Sequence, residues 1–276
     1  MARKTALNLL DRLTAAGEST FSTAEAVEIL GRSPQSTVNL LSRLVDDGLI
    51  GRVSRGHYAI RPLGRLGTSA AAEDTALAVA AVFSDRPHRI AYRSALAHHG
   101  LVIRPSRVIQ VACPDQVRIT ELADRPVDVV RERSATVAVG SVSAGYGANV
   151  STLERALLDG ARRCDLIGGL GVLGDALDTA SSDIDIEELR SLAKQLGAIP
   201  ALRRLVSLAR ILEFDDLARE MLVGVSVPKT PIPADTRQPG PLEWEDAAAG
   251  VIWSTPALDA VRTRTTRKAG ASPRSA

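Results

Sequence analysis

An α+β fold is predicted for this 276-residue chain by three observations. Helical apolar spacing runs through Asp47 and gives way to a short β-hairpin pattern. Three β-prone runs lie between Arg107 and Val142. Helical periodicity then returns at Ser151 and continues to about Val223. The chain is 45% hydrophobic, 24% charged and 3% aromatic, which excludes wholesale disorder and supplies a core for one large domain or two modest ones. No uninterrupted apolar stretch approaches the ~18 residues of a membrane-spanning helix. Asn8 and Asp11 break the N-terminal apolar run, so no signal peptide is expected. The two cysteines, Cys113 and Cys164, match no metal-ligand spacing and form no disulfide framework, which fits a cytoplasmic protein.

The N-terminal elements follow from local signals. Leu7, Leu9, Leu10 and Leu13 repeat at helical spacing until Gly17. A second helix starts at Ser22 or Thr23, carries Glu25 in its first turn, and presents Ala26, Val27 and Leu30 before Gly31. Ser33 as N-cap with Pro34 at the first helical position opens a third helix, with Val38, Leu41, Leu44 and Val45 facing inward and Gly48 at its end. Residues 49–53 and 57–60 are β-prone, and Ser54-Arg55-Gly56 forms the hairpin tip between them. Three helices with a short second turn, followed by a hairpin, describe a winged helix-turn-helix over residues 1–62.

The third helix then exposes Gln35, Ser36, Asn39 and Arg43. These are hydrogen-bonding side chains suited to base edges in a major groove, where Gln and Asn pair with adenine and Arg with guanine. Arg52, Arg55 and His57 on the hairpin are placed for the phosphate backbone. Arg32, Ser33 and Thr37 are expected as further contacts near the helix start, where main-chain amides also favour phosphate. Net charge is only +2 for the whole chain. Through Pro62 there are eight Arg or Lys residues against six Asp or Glu. One such module predicts modest affinity and hence multiple or cooperative binding. The alternative reading of the same pattern is a winged helix used for protein contact.

A linker is expected from Pro62 to Thr68, followed by an alanine-rich helix from about Ala70 to Phe83 and another over 89–101. The β-prone runs are 107–112, 127–131 and 137–142, with Ala123–Pro126 as a turn. Ser151-Thr152-Leu153-Glu154 has the form of a capping box, and further helices are expected at about 166–180, 186–195, 200–212 and 215–223. This assigns residues 69–224 to a mixed α/β plus helical domain. Residues 225–276, rich in proline and ending with five basic residues after Asp259, are expected to be largely irregular, apart from a strand or docking segment near Val251–Trp253.

No constellation for catalysis is legible, and no metal or cofactor is expected. His98 and His99 are adjacent, so they diverge and cannot chelate as an i, i+4 pair. Gly168-Gly169-Leu170-Gly171 is followed by no Gly-Lys-Ser/Thr and fits a packing turn better than a phosphate loop. Asp183, Asp185, Glu187 and Glu188 lack calcium-loop spacing and read as acids at a helix N-terminus. An Asp followed by Glu-x-Lys, the usual nuclease signature, is missing.

The chain resembles the AbiEi-type antitoxins, the DNA-binding halves of bacterial type IV toxin–antitoxin pairs. Three stretches carry the likeness. The first is Phe21-Ser22-Thr23-Ala24-Glu25-Ala26 with Leu40–Ile50 and Arg52–Ile60. The second is Ile90-Ala91-Tyr92-Arg93-Ser94-Ala95-Leu96-Ala97-His98-His99-Gly100-Leu101, and the third is Val150-Ser151-Thr152-Leu153-Glu154-Arg155-Ala156-Leu157-Leu158-Asp159. The resemblance spans about residues 5 to 220. It implies a non-enzymatic transcriptional autorepressor that binds inverted repeats in its own promoter through the winged helix, with a C-terminal domain that supports cooperativity and neutralises a toxin. That toxin is typically a nucleotidyltransferase, and no stable toxin–antitoxin complex is required. Some relatives regulate genes with no toxin beside them, a general transcriptional regulator being the second alternative. The resemblance places no counterpart to the segment after Val225.

Overall fold

The computed structural model describes residues 2–47, 49–60, 68–102, 106–123, 125–235 and 237–269. It is mixed α and β and divides into two compact units. One comprises residues 1–90, 107–138 and 142–150, and the other 91–106, 139–141 and 151–276. The expected linker falls almost wholly outside the described residues.

The first unit begins with α1 (Ala2–Ala15), β1 (Thr20–Ser22), α2 (Thr23–Leu30), α3 (Pro34–Asp46), β2 (Ile50–Ser54) and β3 (His57–Ile60). This is the winged helix. Ala6, Leu9 and Leu13 of α1 meet Ala26 of α2 and Leu40, Leu41 and Leu44 of α3 in a core closed by Phe21, Ile50 and Tyr58. The strand β1, unread in the sequence because it is only three residues long, pairs antiparallel with β3, giving the order β1-β3-β2. Ser22 is the α2 N-cap, and its capping box with Glu25 is complete: Glu25 N–H donates to Ser22 Oγ at 3.1 Å and Ser22 N–H to Glu25 Oε2 at 2.6 Å.

After α4 (Thr68–Phe83) comes a six-stranded mixed sheet built from β4 (Arg89–Ile90), β5 (Ile109–Cys113), β6 (Glu121–Leu122), β7 (Arg125–Arg131), β8 (Ser141–Gly145) and β9 (Ala148–Ser151). Its order is β6-β7-β5-β4-β9-β8. Two expectations fail here. The helix expected over 89–101 is split, because Arg89 and Ile90 form a strand that pairs with β5 and β9, and α5 covers only Tyr92–His98. Arg89 is fully buried, and its guanidinium donates to Glu132 Oε2 at 2.5 Å. No local pattern betrays an arginine at a central strand position whose partner lies forty-three residues away. The strand expected at 137–142 is also displaced: α6 (Ser134–Val137) turns there and β8 starts at Ser141. Cys113, one residue past the β-prone run 107–112, is the buried last residue of β5.

The second unit is mostly helical: α7 (Leu153–Arg162), α8 (Cys164–Ile167), α9 (Leu170–Ala180), α10 (Ile186–Gln195), α11 (Ile199–Ile211) and α12 (Asp215–Leu222). The helix expected over 166–180 breaks at Gly168 and Gly169, both at φ +98. A side chain at Gly168 would stand 2.7 Å from Arg93 Nη1, which donates to Ile167 O at 2.6 Å. The capping box read at Ser151–Glu154 is not formed. Ser151 remains in β9, where its carbonyl meets His99 Nε2 at 2.7 Å, and Thr152 caps α7 one residue later. Glu154 instead accepts from the Asp185 amide at 3.0 Å. Asp185 caps α10 through the Glu188 N–H, so this acidic run serves a helix start.

The segment after Val225 departs furthest from expectation. It forms β10 (Ile232–Pro233), β11 (Leu242–Asp246), β12 (Val251–Ser254) and α13 (Thr255–Ala269), with the strands ordered β10-β12-β11. Cations on α11, Arg203 buried and Arg204 and Arg210 half-buried, hold it. Arg203 donates to the carbonyls of Ala249 at 2.7 Å and Gly250 at 2.6 Å, Arg204 donates to Pro233 O at 2.9 Å, and Arg210 pairs with Asp246. Trp253 is fully buried and donates from Nε1 to Ser207 Oγ at 2.8 Å. Proline excludes long ladders but not short strands, and α11 satisfies the backbone carbonyls that the turns leave over. The basic stretch expected to be a flexible tail continues as α13 to Ala269; the last seven residues lie outside the described part.

Candidate nucleic-acid interface

The helix α3 owes its orientation to its apolar face. Thr37, Leu40, Leu41 and Leu44 are buried, with Val38 and Val45 partly so. The opposite side therefore presents Gln35, Asn39 and Arg43, all exposed, with Ser36 half-buried beside them. Gln35 Nε2 donates to Asn39 Oδ1 at 3.2 Å, one turn apart. That contact aligns the two amides and leaves a carbonyl on Gln35 and an amino group on Asn39 for further hydrogen bonds. The turn between α2 and α3 is Gly31-Arg32-Ser33. Gly31 takes the left-handed conformation at φ +60 and returns its N–H to Val27 O.

The expectations near the helix start divide. Ser33 is the N-cap, and its hydroxyl accepts from the Ser36 amide at 3.4 Å. Arg32 is exposed and donates across to Thr5 Oγ1 at 3.1 Å. Thr37 is a correction: it is 0% exposed, and its hydroxyl donates to Ser33 O at 3.2 Å, so it braces the cap from inside and presents nothing outward. The periodicity read from the sequence placed Val38 inward; a rotation of one position along α3 accounts for the buried Thr37 and for the less complete burial of Val38. Phosphate attraction by the first-turn amides is also curtailed. Pro34 has no N–H, and the Ser36 and Thr37 amides are engaged by Ser33.

The wing joins α3 directly, with the Leu49 amide donating to Leu44 O at 3.0 Å. Arg52 and Arg55 are exposed, and His57 is half-buried at the start of β3. The Arg52 guanidinium lies 5.9 Å from the centroid of the Tyr58 ring, within cation–π range, and Tyr58 stacks on Phe21 at 5.7 Å. An aromatic pair rooted in the core thus supports the wing cation. The tip is pinned as well. Gly56, at φ +81, has its carbonyl engaged by both the amide (2.8 Å) and the hydroxyl (3.2 Å) of Thr23. Thr23 was read only as a helix-start residue, and a threonine there carries no sequence mark of a partner thirty-three positions on.

Among the described residues no cluster of three or more His, Cys, Asp or Glu side chains could hold a metal ion. His98 and His99 pack edge to face at 5.4 Å. Burial lowers the His98 pKa, and pushes the Cys113 and Cys164 thiols up, Cys164 to about 12. Such thiols are inert as nucleophiles at neutral pH. No helix among the described residues is long and apolar enough to cross a membrane.

Comparison with known proteins agrees with this geometry in both units. The chain is similar to the crystal structure of the RV2827C protein from Mycobacterium tuberculosis, with a TM-score of 0.64 over 95% of each chain and 16% identity, a likeness of fold. No curated protein matches the chain. Residues 8–61, which hold α3 and the wing, match the model of a transcriptional regulator, AbiEi antitoxin; residues 89–213 match that of the AbiEi antitoxin C-terminal domain. With the two AbiEi models matched in order over residues 8–61 and 89–213, the chain belongs to the AbiEi antitoxin family of transcriptional regulators.

Proposed function

We propose that this protein represses its own operon by sequence-specific DNA binding, and that it is the antitoxin of a type IV pair. The reading rests foremost on one observation: α3 buries Thr37, Leu40, Leu41 and Leu44 and turns outward Gln35, Asn39 and Arg43, with half-buried Ser36 beside them, next to a wing carrying exposed Arg52 and Arg55. A helix that merely faced solvent would carry Glu and Lys there. This face carries amides and a guanidinium, the groups that read base edges bidentately. In this reading Gln35, Asn39 and Arg43 contact bases in the major groove, Ser36 lies at the edge of that contact, and Arg52, Arg55 and His57 hold phosphates. Arg32 and Ser33 flank the entry of the helix.

Inverted promoter repeats occupied cooperatively would offset the modest affinity expected of one nearly neutral module. The toxin partner in this reading is a nucleotidyltransferase neutralised in the cytoplasm without a lasting complex. The test is a gel-shift titration of the whole chain with the fragment immediately upstream of its gene and with a scrambled fragment, each at two salt concentrations. Preferential, salt-sensitive and stepwise retardation is the expected result. Equal binding to both fragments would remove autorepression. Co-expression with the neighbouring gene tests the toxin: growth arrest relieved by this protein is expected, and arrest that persists would remove the antitoxin assignment.

A further inference from the structure

The strand β2 is the outer strand of the wing sheet, so its free edge has backbone groups with no partner inside the winged helix. At Val53 the ladder with β3 is interrupted. Arg52 stands opposite Tyr58 and Ser54 opposite His57, so Val53 is an extra residue, a β-bulge between the two wing arginines. Val53 is buried, and its carbonyl accepts a hydrogen bond of 2.6 Å from the amide of Ala123, seventy positions downstream. Ala123 sits just after β6, at the turn of the β6–β7 hairpin, with φ +48, in the left-handed region that a non-glycine residue rarely adopts.

That hairpin is itself held firmly. Leu122 is fully buried. Arg125, at the start of β7, donates to Thr75 Oγ1 of α4 at 2.8 Å and to Arg107 O at 3.2 Å, and the Val127 amide donates to Thr120 O at 3.0 Å. The β6–β7 turn is therefore a fixed point against which the wing rests, within one compact unit. Because a bulge sets the local bend and twist of its strand, whatever holds the Val53 carbonyl also sets where Arg52 and Arg55 point.

From this we infer that Ala123 is a positioning residue for DNA binding: through its hydrogen bond to Val53 it holds the wing bulge so that Arg52 and Arg55 reach the phosphate backbone. The inference rests on the proposed DNA-binding role. It implies that the wing is completed by the region that follows the winged helix in sequence, and that the first sixty residues by themselves bear an under-supported wing.

The experiment uses the full chain in three forms. Ala123→Val opposes the positive φ and should withdraw the amide. Ala123→Gly accepts that φ freely and should preserve the contact. Replacing Ala123 by lactate, its hydroxy-acid analogue, removes the N–H with the side chain unchanged, weakens the Leu122 carbonyl as an acceptor, and serves should Ala123→Val fail to fold. Two quantities are read: the slope of log affinity against log salt on the upstream and scrambled fragments, and hydrogen exchange of the wing amides without DNA. The Val and lactate forms should bind both fragments more weakly and keep their ratio of affinities. Their salt slope should fall by about two, close to 0.9 for each wing arginine released. Wing amides should exchange faster in both, while the Gly form matches the unaltered chain. A salt slope unchanged in the lactate form, or wing exchange unchanged in it, would overturn the inference. If the unaltered chain binds neither fragment, the DNA-binding reading falls, and with it the role assigned to Ala123; the exchange comparison would still show whether Ala123 holds the wing.

Discussion

Replacing Trp253 by alanine tests whether the segment after Val225 belongs to the core of the second unit. Trp253 is fully buried in β12, and its indole N–H donates to Ser207 Oγ on α11, itself fully buried. Truncation of a buried aromatic to alanine costs about 3–5 kcal/mol through lost transfer energy and the cavity left behind. The stranded Ser207 hydroxyl places the expected loss in the upper part of that range. With a urea m-value of roughly 2–3 kcal/mol/M for a unit of this size, the midpoint should fall by about 1.3–2.5 M. The assay is unusually local, because the only two tryptophans of the chain, Trp244 and Trp253, both lie in this segment. Tryptophan fluorescence reports the unaltered chain, and Trp244 alone reports the variant. Trp253→Phe keeps most of the volume and should lose about 1–3 kcal/mol, chiefly through the hydrogen bond. A midpoint shift below about 0.3 M for Trp253→Ala would mean that the strand is dispensable to the unit, and the core assignment would be wrong.

Three further outcomes are expected. Asn39→Ala should relax preference at one base position, whereas Arg52→Ala should weaken binding to all sequences and lower the salt slope by about one; equal losses on all sequences for Asn39→Ala would remove it from base reading. Burial holds the His88 imidazole below its usual pKa, and its Nε2 accepts from the Asn149 amide at 3.3 Å while Nδ1 lies 2.9 Å from Arg86 O, so the neutral ring fits and a second proton does not. The unfolded chain then takes up the proton first. The stability due to this site is complete above about pH 6.5 and declines as pH falls below it, and His88→Gln should flatten that decline in denaturant titrations between pH 5 and 7. Cys113 and Cys164 are both buried with raised pKa values, so a chromogenic disulfide reagent at pH 8 should find no reactive thiol in the folded chain and two after unfolding in urea.

The candidate interface was almost entirely legible because its signals are local. Ser22 with Glu25, Gly31, Ser33 with Pro34, and Gly56 each act within about four residues, and together they position α3 and the wing. Gln35, Asn39 and Arg43 follow at once from helical period. Thr37 was misplaced because a threonine at the border of an apolar stripe fits either side, and only its hydrogen bond to Ser33 O and the packing around it decide.

Charge and chain order misled elsewhere. Arg89 falls at the start of the helix expected over 89–101, and Arg203, Arg204 and Arg210 fall within the helix expected at about 200–212. Each is instead buried or half-buried against carbonyls or carboxylates at least twenty-seven residues away in sequence. Proline and glycine after Val225 announce irregular chain, yet the short strands there are held by those same arginines.

The sequence by itself therefore determined the winged helix, its outward amide face, the family, and the helical character of the second half, since caps, turns and helical period depend on neighbours a few residues apart. Three-dimensional packing decided the order of the six strands, the burial of Arg89 and Trp253, and the brace from Ala123 to the wing. These depend mostly on hydrogen bonds and buried surface between residues from eighteen to seventy positions apart, and no short-range pattern encodes such pairings.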